Sequence, residues 1–132
     1  MPEPIDNEAE RKIAGILSRE SRYAAGAYTF VAEAVTFTVG RLSVHRHVSA
    51  RELLEGIRDY AAGQFGVMAG EVLHEWGIHE ATDVGRIVYL MIDAKLLAAS
   101  EEDSPEDFNI DFDLVPEEAV SPAVGRTLPK ID

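Results

Sequence analysis

The chain has 132 residues, 46% of them apolar, which is enough for one domain with a single core. It has no cysteine, so disulfides, thiolate zinc sites and cysteine nucleophiles are excluded together. Its formal charge is −12, and the imbalance grows along the chain, with six acids and six bases in residues 1–48, eight and four in 49–98, and ten and two in 99–132; such a field repels phosphate backbones and anionic membranes unless a basic patch overrides it.

The opening MPEPIDNEAERK is charged where a signal peptide needs an apolar stretch. No run approaches the roughly 18 apolar residues of a membrane span. A cytoplasmic location is the expectation. Asp6 or Asn7 can cap a first helix, with Glu10 closing a capping box and Ile13, Ile16 and Leu17 on its apolar face. From Ser21 the apolar residues Ala24, Ala27, Tyr28, Val31, Ala34, Val35 and Leu42 recur every three or four positions, which predicts a long helix over about 22–41. Its β-branched end, VTFTVGRLSV, leaves a strand open as the weaker choice. Phe30 and Phe37 sit off the main stripe, a second packing surface that suggests a partner or a self-contact.

Ser49 and Glu52 form the clearest start signal, with Val48 and Leu53 placed for a hydrophobic staple. Leu53, Ile57, Tyr60, Ala61 and Phe65 follow on one face, and the Phe65–Gly66 step breaks the run. A fresh short helix with Val67, Met68, Val72, Leu73 and Trp76 is expected next. Gly77 suits a left-handed stop, with Ile78 folding back onto the last turn, and the Trp76 ring is expected to be largely buried. Thr82 can cap a last helix, DVGRIVYLMIDAKLLAAS, apolar on a wide arc. Beyond it Phe108, Ile110, Phe112 and Leu114 alternate with polar residues, the period of a short strand. The remainder, VPEEAVSPAVGRTLPKID, reads as a mobile, Pro-containing tail.

These elements predict a mostly α fold, about five helices in a compact bundle, with one short C-terminal β segment. The helix after the WGIHEAT turn, followed by a loop and a strand, also leaves a winged-helix-like C-terminal half open. Residues 1–114 read as a single helical domain with the acidic segment 101–114 docked on it, and 115–132 as the tail. Residues 101–118 hold nine carboxylates. Docking through the four alternating apolar residues would bring some of them near Arg41, Arg46 and Arg51.

The phrases HVSARELLEGIRDYAAGQFGVMAGEVLHEWGI, TDVGRIVYLMIDAKLL and EEDSPEDF, with AGAYTFVAEAV upstream, resemble the Minf family of bacterial proteins. The resemblance covers about residues 8–114, most specifically at QFG, VL-x-x-WGI and GRIV, and leaves the tail unexplained. The family has no established activity, so the resemblance implies an ordered domain and carries no catalytic residue onto this chain.

Candidate chemistry is sparse. His45 and His47 form a His-x-His pair, and His74 and His79 flank the WGI turn. A zinc site needs three or four converging ligands. HEWGIH is not HExxH: its histidines are five apart across Gly77 and share no helix face. They read as surface or half-buried histidines near helix ends, and no metal or cofactor is expected. GVMAG and GQFG match no phosphate loop, and no Gly-x-Ser-x-Gly exists. Asp83 and Glu80 read as dipole-stabilised carboxylates at a helix start. The local exception to the acidity is RLSVHRHVSAR. Arg41, Arg46 and Arg51, with His45 and His47, form a basic cluster leading into a helix N-terminus and are the candidate contact for a partner or an anion. The competing reading, which we favour, is that the domain's own carboxylates neutralise it.

The function expected from sequence is a non-catalytic protein-interaction or regulatory module with an unidentified protein partner, or a small homo-oligomer. One alternative is a winged-helix-like nucleic-acid-binding regulator. It is disfavoured because the last helix offers Arg86 and Lys95 against Asp83 and Asp93. The other is a small metal-dependent enzyme using His45, His47 and His74.

Overall fold

The computed structural model describes residues 7–44, 46, 48–98 and 104–115. It is mostly helical. Four longer helices, α1 (Asn7–Arg19), α2 (Ala25–Gly40), α3 (Ala50–Phe65) and α5 (Ala81–Asp93), are joined by a two-turn helix, α4 (Ala69–Glu75). Short 3-10 turns occupy Gly66–Met68 and Pro105–Phe108. Among the described residues there is no strand, and no helix is long and apolar enough to cross a membrane.

The helix ends follow local chemistry. The Ser49 hydroxyl accepts from the Glu52 N–H at 3.1 Å, and the Glu52 carboxylate accepts from the Ser49 N–H at 2.9 Å, closing the capping box of α3. Gly66, at φ 56°, then bends the chain into the 3-10 turn. α4 stops in a Schellman motif: Ile78 N–H donates to the Leu73 carbonyl at 2.9 Å, Gly77 N–H to that of His74 at 3.0 Å, and Gly77 takes φ 92°. Two expectations fail here. Thr82 does not cap α5, because the helix already begins at Ala81 and Asp83 reaches back to the preceding N–H groups. Nor does α5 continue through Leu97. Leu96 N–H donates to the Met91 carbonyl at 2.8 Å and Lys95 N–H to that of Ile92 at 2.9 Å. This is a second Schellman stop, with Lys95 at φ 65°. The turn lays Leu96 and Leu97 against the core instead of pointing them along the helix.

α2 touches α1, α3 and α5, and α5 is the most deeply buried of the longer helices. It buries seven residues, from Ala81 to Met91, against α2, which contributes Val31 and Ala34, and the bundle is completed by Leu54 and Ile57 of α3. α2 and α3 approach closely because Gly56 has no side chain; a Cβ there would overlap the Thr38 hydroxyl. That hydroxyl, buried, donates to the Ala34 carbonyl at 2.7 Å. Phe30 and Phe37 are not a free surface. Their rings lie 5.5 and 5.2 Å from Tyr60, and Phe30 also meets Phe65 and Trp76 at 5.7 and 5.5 Å. The second packing surface of α2 is thus covered by the chain's own α3 and α4. Trp76, expected to be largely buried, is half-buried at the end of this row.

The C-terminal segment corrects the β reading. Alternation over Phe108–Leu114 predicts a strand, but the chain makes a 3-10 turn and then runs without ladder hydrogen bonds. A strand needs a neighbouring strand, and this segment lies on helices. Its period-two burial survives all the same: Phe108 and Leu114 are buried, Ile110 and Phe112 half-buried, and the residues between them exposed. Phe108 packs on bare Gly85 of α5, where a Cβ would come within 2.7 Å of the Phe108 Cβ. The winged-helix arrangement has no wing among the described residues, and its would-be recognition helix is the buried α5.

Two stability outcomes follow. Phe108→Ala should cost about 3–5 kcal/mol in urea unfolding, the range for a core aromatic; an unchanged midpoint would mean that the segment is not docked. Lys95→Gly should raise stability by about 0.5–1 kcal/mol, since a left-handed conformation penalises a side chain, and a loss instead would show that the α5 stop is wrongly placed.

Candidate binding site

The basic cluster is divided among separate neighbours. Arg41 pairs with Asp59 of α3 at 2.9 Å, and its guanidinium lies 4.8 Å from the Phe37 ring centre. Arg46 grips Glu52 with two hydrogen bonds of 2.9 and 2.7 Å. The Arg46 hydrogen bond, with help from the Ser49 N–H, holds the Glu52 carboxyl down to about 2. Arg51 lies over the Phe112 ring at 5.6 Å, beside Arg58 at 5.1 Å. Where sequence suggested carboxylates meeting these arginines, the docked segment presents Arg51 with an aromatic face, a cation–π contact. His45 and His47 lie outside the described residues.

A polar network that sequence reading missed sits at the start of α5. Tyr23, from the link between α1 and α2, donates its hydroxyl to Asp83 Oδ1 at 2.7 Å. Arg86 donates to the same oxygen at 2.8 Å and to the Tyr23 hydroxyl at 3.3 Å. Asp83 Oδ2 accepts the backbone N–H groups of His79 and Glu80 at 2.8 and 3.1 Å. Burial pushes the Asp83 carboxyl up, but the hydrogen bonds from Tyr23, His79 and Glu80 and the Arg86 charge outweigh it, leaving it below its ordinary value. Burial raises the Tyr23 hydroxyl, which therefore stays protonated as a donor. A cleft of about 480 Å³ opens beside Tyr23 and Arg86 and is bordered by Glu20, Asp93 and Glu106. Arg86 is already committed to Asp83, so the network serves to fasten the fold.

The turn between α4 and α5 brings the His74 and His79 rings to 4.6 Å, which their spacing did not suggest. The left-handed Gly77 folds the chain back and makes that approach. Among the described residues no three His, Asp or Glu side chains are grouped to hold a metal ion. On the same side of the molecule the 3-10 turn after α3 exposes Val67 to 68% and Met68 to 50%. Beside them is a shallow hollow of about 520 Å³, bordered by Met68, Val72, His74 and the carboxylates Glu71 and Glu75. Val44, in the link between α2 and α3, is exposed to 60%.

A second hollow is apolar. About 350 Å³ of space lies between the C-terminal half of α2, the start of α3, the end of α5 and Phe108. Among the described residues its charged lining is Arg46, held by Glu52, and Asp107, which accepts the Ser104 N–H at 3.1 Å.

No protein-family model matches the chain, and neither a curated protein nor a solved structure is found to be similar to it.

The Asp83 network makes a signed pH prediction. A carboxyl depressed by folding contributes stability above its unfolded value, ordinarily 3.8, and loses that contribution as pH falls through the folded value. Asp83→Asn should be less stable at pH 7, and its difference from the parent should shrink from about pH 4 downward. Urea midpoints at pH 7, 5, 4 and 3 check this; a difference constant with pH would show that Asp83 carries no charge in the fold.

Proposed function

We propose that the protein is a non-catalytic interaction module of regulatory type, working in the cytoplasm, that docks a partner protein at the corner between α3 and α4. Membership of the Minf family, on the phrases it shares, is part of the proposal. The observation that carries it is the exposure of Val67 and Met68, side by side on a turn fixed by Gly66, at the edge of a concave, carboxylate-bordered hollow. Exposed large apolar residues beside a concavity are what partner recognition uses, and an unbranched Met adapts to varied partners.

Charge selects the partner. Glu71 and Glu75 border the hollow, and the whole chain carries −12. A second copy would set these carboxylates against their own images, so self-association through this face is disfavoured. A partner with an apolar side chain flanked by Lys or Arg fits.

The nucleic-acid reading draws no support from the geometry. α5 is spent on the core, Arg86 is paired with Asp83, and the field opposes phosphate. The histidine-enzyme reading is left, among the described residues, with His74 and His79, two imidazoles where a catalytic zinc site uses three protein ligands.

Val67→Lys with Met68→Lys should leave the unfolding midpoint nearly unchanged, because both residues are exposed. Wild type, this double variant and Val44→Lys, each immobilised, would be compared for proteins retained from an extract of the source cells. A protein retained by wild type and by Val44→Lys, but lost from the double variant, is the expected outcome. Retention of the same proteins by all three would refute docking at this corner.

A further inference from the structure

The apolar hollow beside α5 shares no lining residue with the hollow at the α3–α4 corner. The geometry points to a binding site for an uncharged, apolar small molecule of one or two rings, held between Val35 and Val39 of α2, Leu53 of α3, Val88 and Ile92 of α5, and Phe108.

Three observations carry this. The volume, about 350 Å³, falls within the roughly 300–1,000 Å³ typical of small-molecule pockets. The walls are partly made of short side chains, with Val35, Val39, Val48 and Ala50 lining the space beside longer core residues. Val35 and Ile92 are only half-buried although they pack on the core, and Val39 is half-buried as well, so an occupant would complete their burial. Water in such a space finds few hydrogen-bond partners, and an apolar molecule that displaces it gains the hydrophobic free energy.

The charges at the rim decide the class of ligand. Arg46 is neutralised by two hydrogen bonds to Glu52, and Asp107 adds a negative charge. Among the described residues, Arg46, Glu52 and Asp107 together are net negative, and the chain as a whole is acidic. A carboxylate, sulfonate or phosphate on the ligand would meet no free cation among the described lining residues and would lose its hydration. An uncharged molecule gives up nothing of that kind.

A matched pair of dyes tests the inference. N-phenyl-1-naphthylamine is uncharged, and 8-anilinonaphthalene-1-sulfonate is the same ring system carrying a sulfonate. Titrated into the full chain, the uncharged dye should show saturable fluorescence enhancement with one site per chain and a dissociation constant on the order of 10 µM. The sulfonate should bind at least about tenfold more weakly, since it must be desolvated beside a net negative rim. Val39→Trp and, separately, Leu97→Trp put a large side chain at half-buried positions lining the hollow. Each should reduce binding of the uncharged dye at least about tenfold with the melting temperature and far-ultraviolet circular dichroism unchanged, the loss expected when the space is filled. If one variant fails to fold, the other supplies the comparison. Absence of saturable binding, or binding that survives both substitutions, would overturn the site. Equal affinity for the two dyes would overturn the assigned ligand class. Val67→Lys with Met68→Lys should leave dye binding intact, so failure of the partner-docking reading and failure of this one are distinguishable.

Discussion

The buried carboxylate of Asp83 is the joint that the rest of the structure depends on. An ionised group inside a protein costs several kcal/mol unless it is fully paired, and here both oxygens are engaged, by Tyr23, Arg86 and two backbone N–H groups. One side chain thereby sets the first turn of α5, the exit from α4 and the link between α1 and α2. The same seam is closed by Ala24 N–H donating to the Trp76 carbonyl at 3.2 Å. It is also closed by Gly77, where a Cβ would come within 2.5 Å of the Arg22 carbonyl oxygen. With that seam in place, Tyr23 meets Tyr28 edge to face at 6.4 Å. The aromatic row from Phe37 through Tyr60 and Phe30 to Trp76 then lies between α2 and the α3–α4 corner.

Close approach is the second constraint. α3 can lie along α2 because Gly56 faces Thr38, and the Phe108 turn can lie on α5 because Gly85 faces Phe108. In both places contact is made at the backbone, so small changes of volume cannot be absorbed by rotating a side chain. Among the described residues the Tyr28 hydroxyl is a buried side-chain group with no hydrogen-bond partner, and its pKa is pushed up to about 12, chiefly by burial. Its ring is retained for packing, as the edge contact with Tyr23 shows.

Features contained within a few residues were legible in the sequence. The Ser49–Glu52 capping box, the break at Gly66 and the stop at Gly77 each arise from one turn of chain, and the side-chain period of Phe108–Leu114 announced which residues would be buried. The period did not say what they would rest against, and helices took the place that a partner strand would have had. Lys95 was missed because the left-handed stop is imposed by where Leu96 and Leu97 must go, with no glycine to mark it. Tyr23 and Asp83 are 60 positions apart, and no local pattern relates them. The arginines at 41, 46 and 51 are close in sequence and read as one patch, yet the fold gives each a different neighbour. The apolar hollow was illegible for a simpler reason: it is unfilled space between four segments, and a sequence records only what is present.

Phe108 and Leu114 supply apolar cover to a core whose α-helices, among the described residues, all end by residue 93. During synthesis these helices are therefore complete while Gly85 still lacks the Phe108 turn that lies on it. At about 5–20 residues per second, the stretch from Ala94 to Leu114 takes on the order of seconds to add. Through that interval the chain carries an uncovered apolar seam along α5, the kind of surface that chaperones hold and proteases sample. A chain cut short after α5 would keep the seam permanently. The fold thus distinguishes copies that extend through Leu114 from copies that stop after α5, since only the former cover this seam.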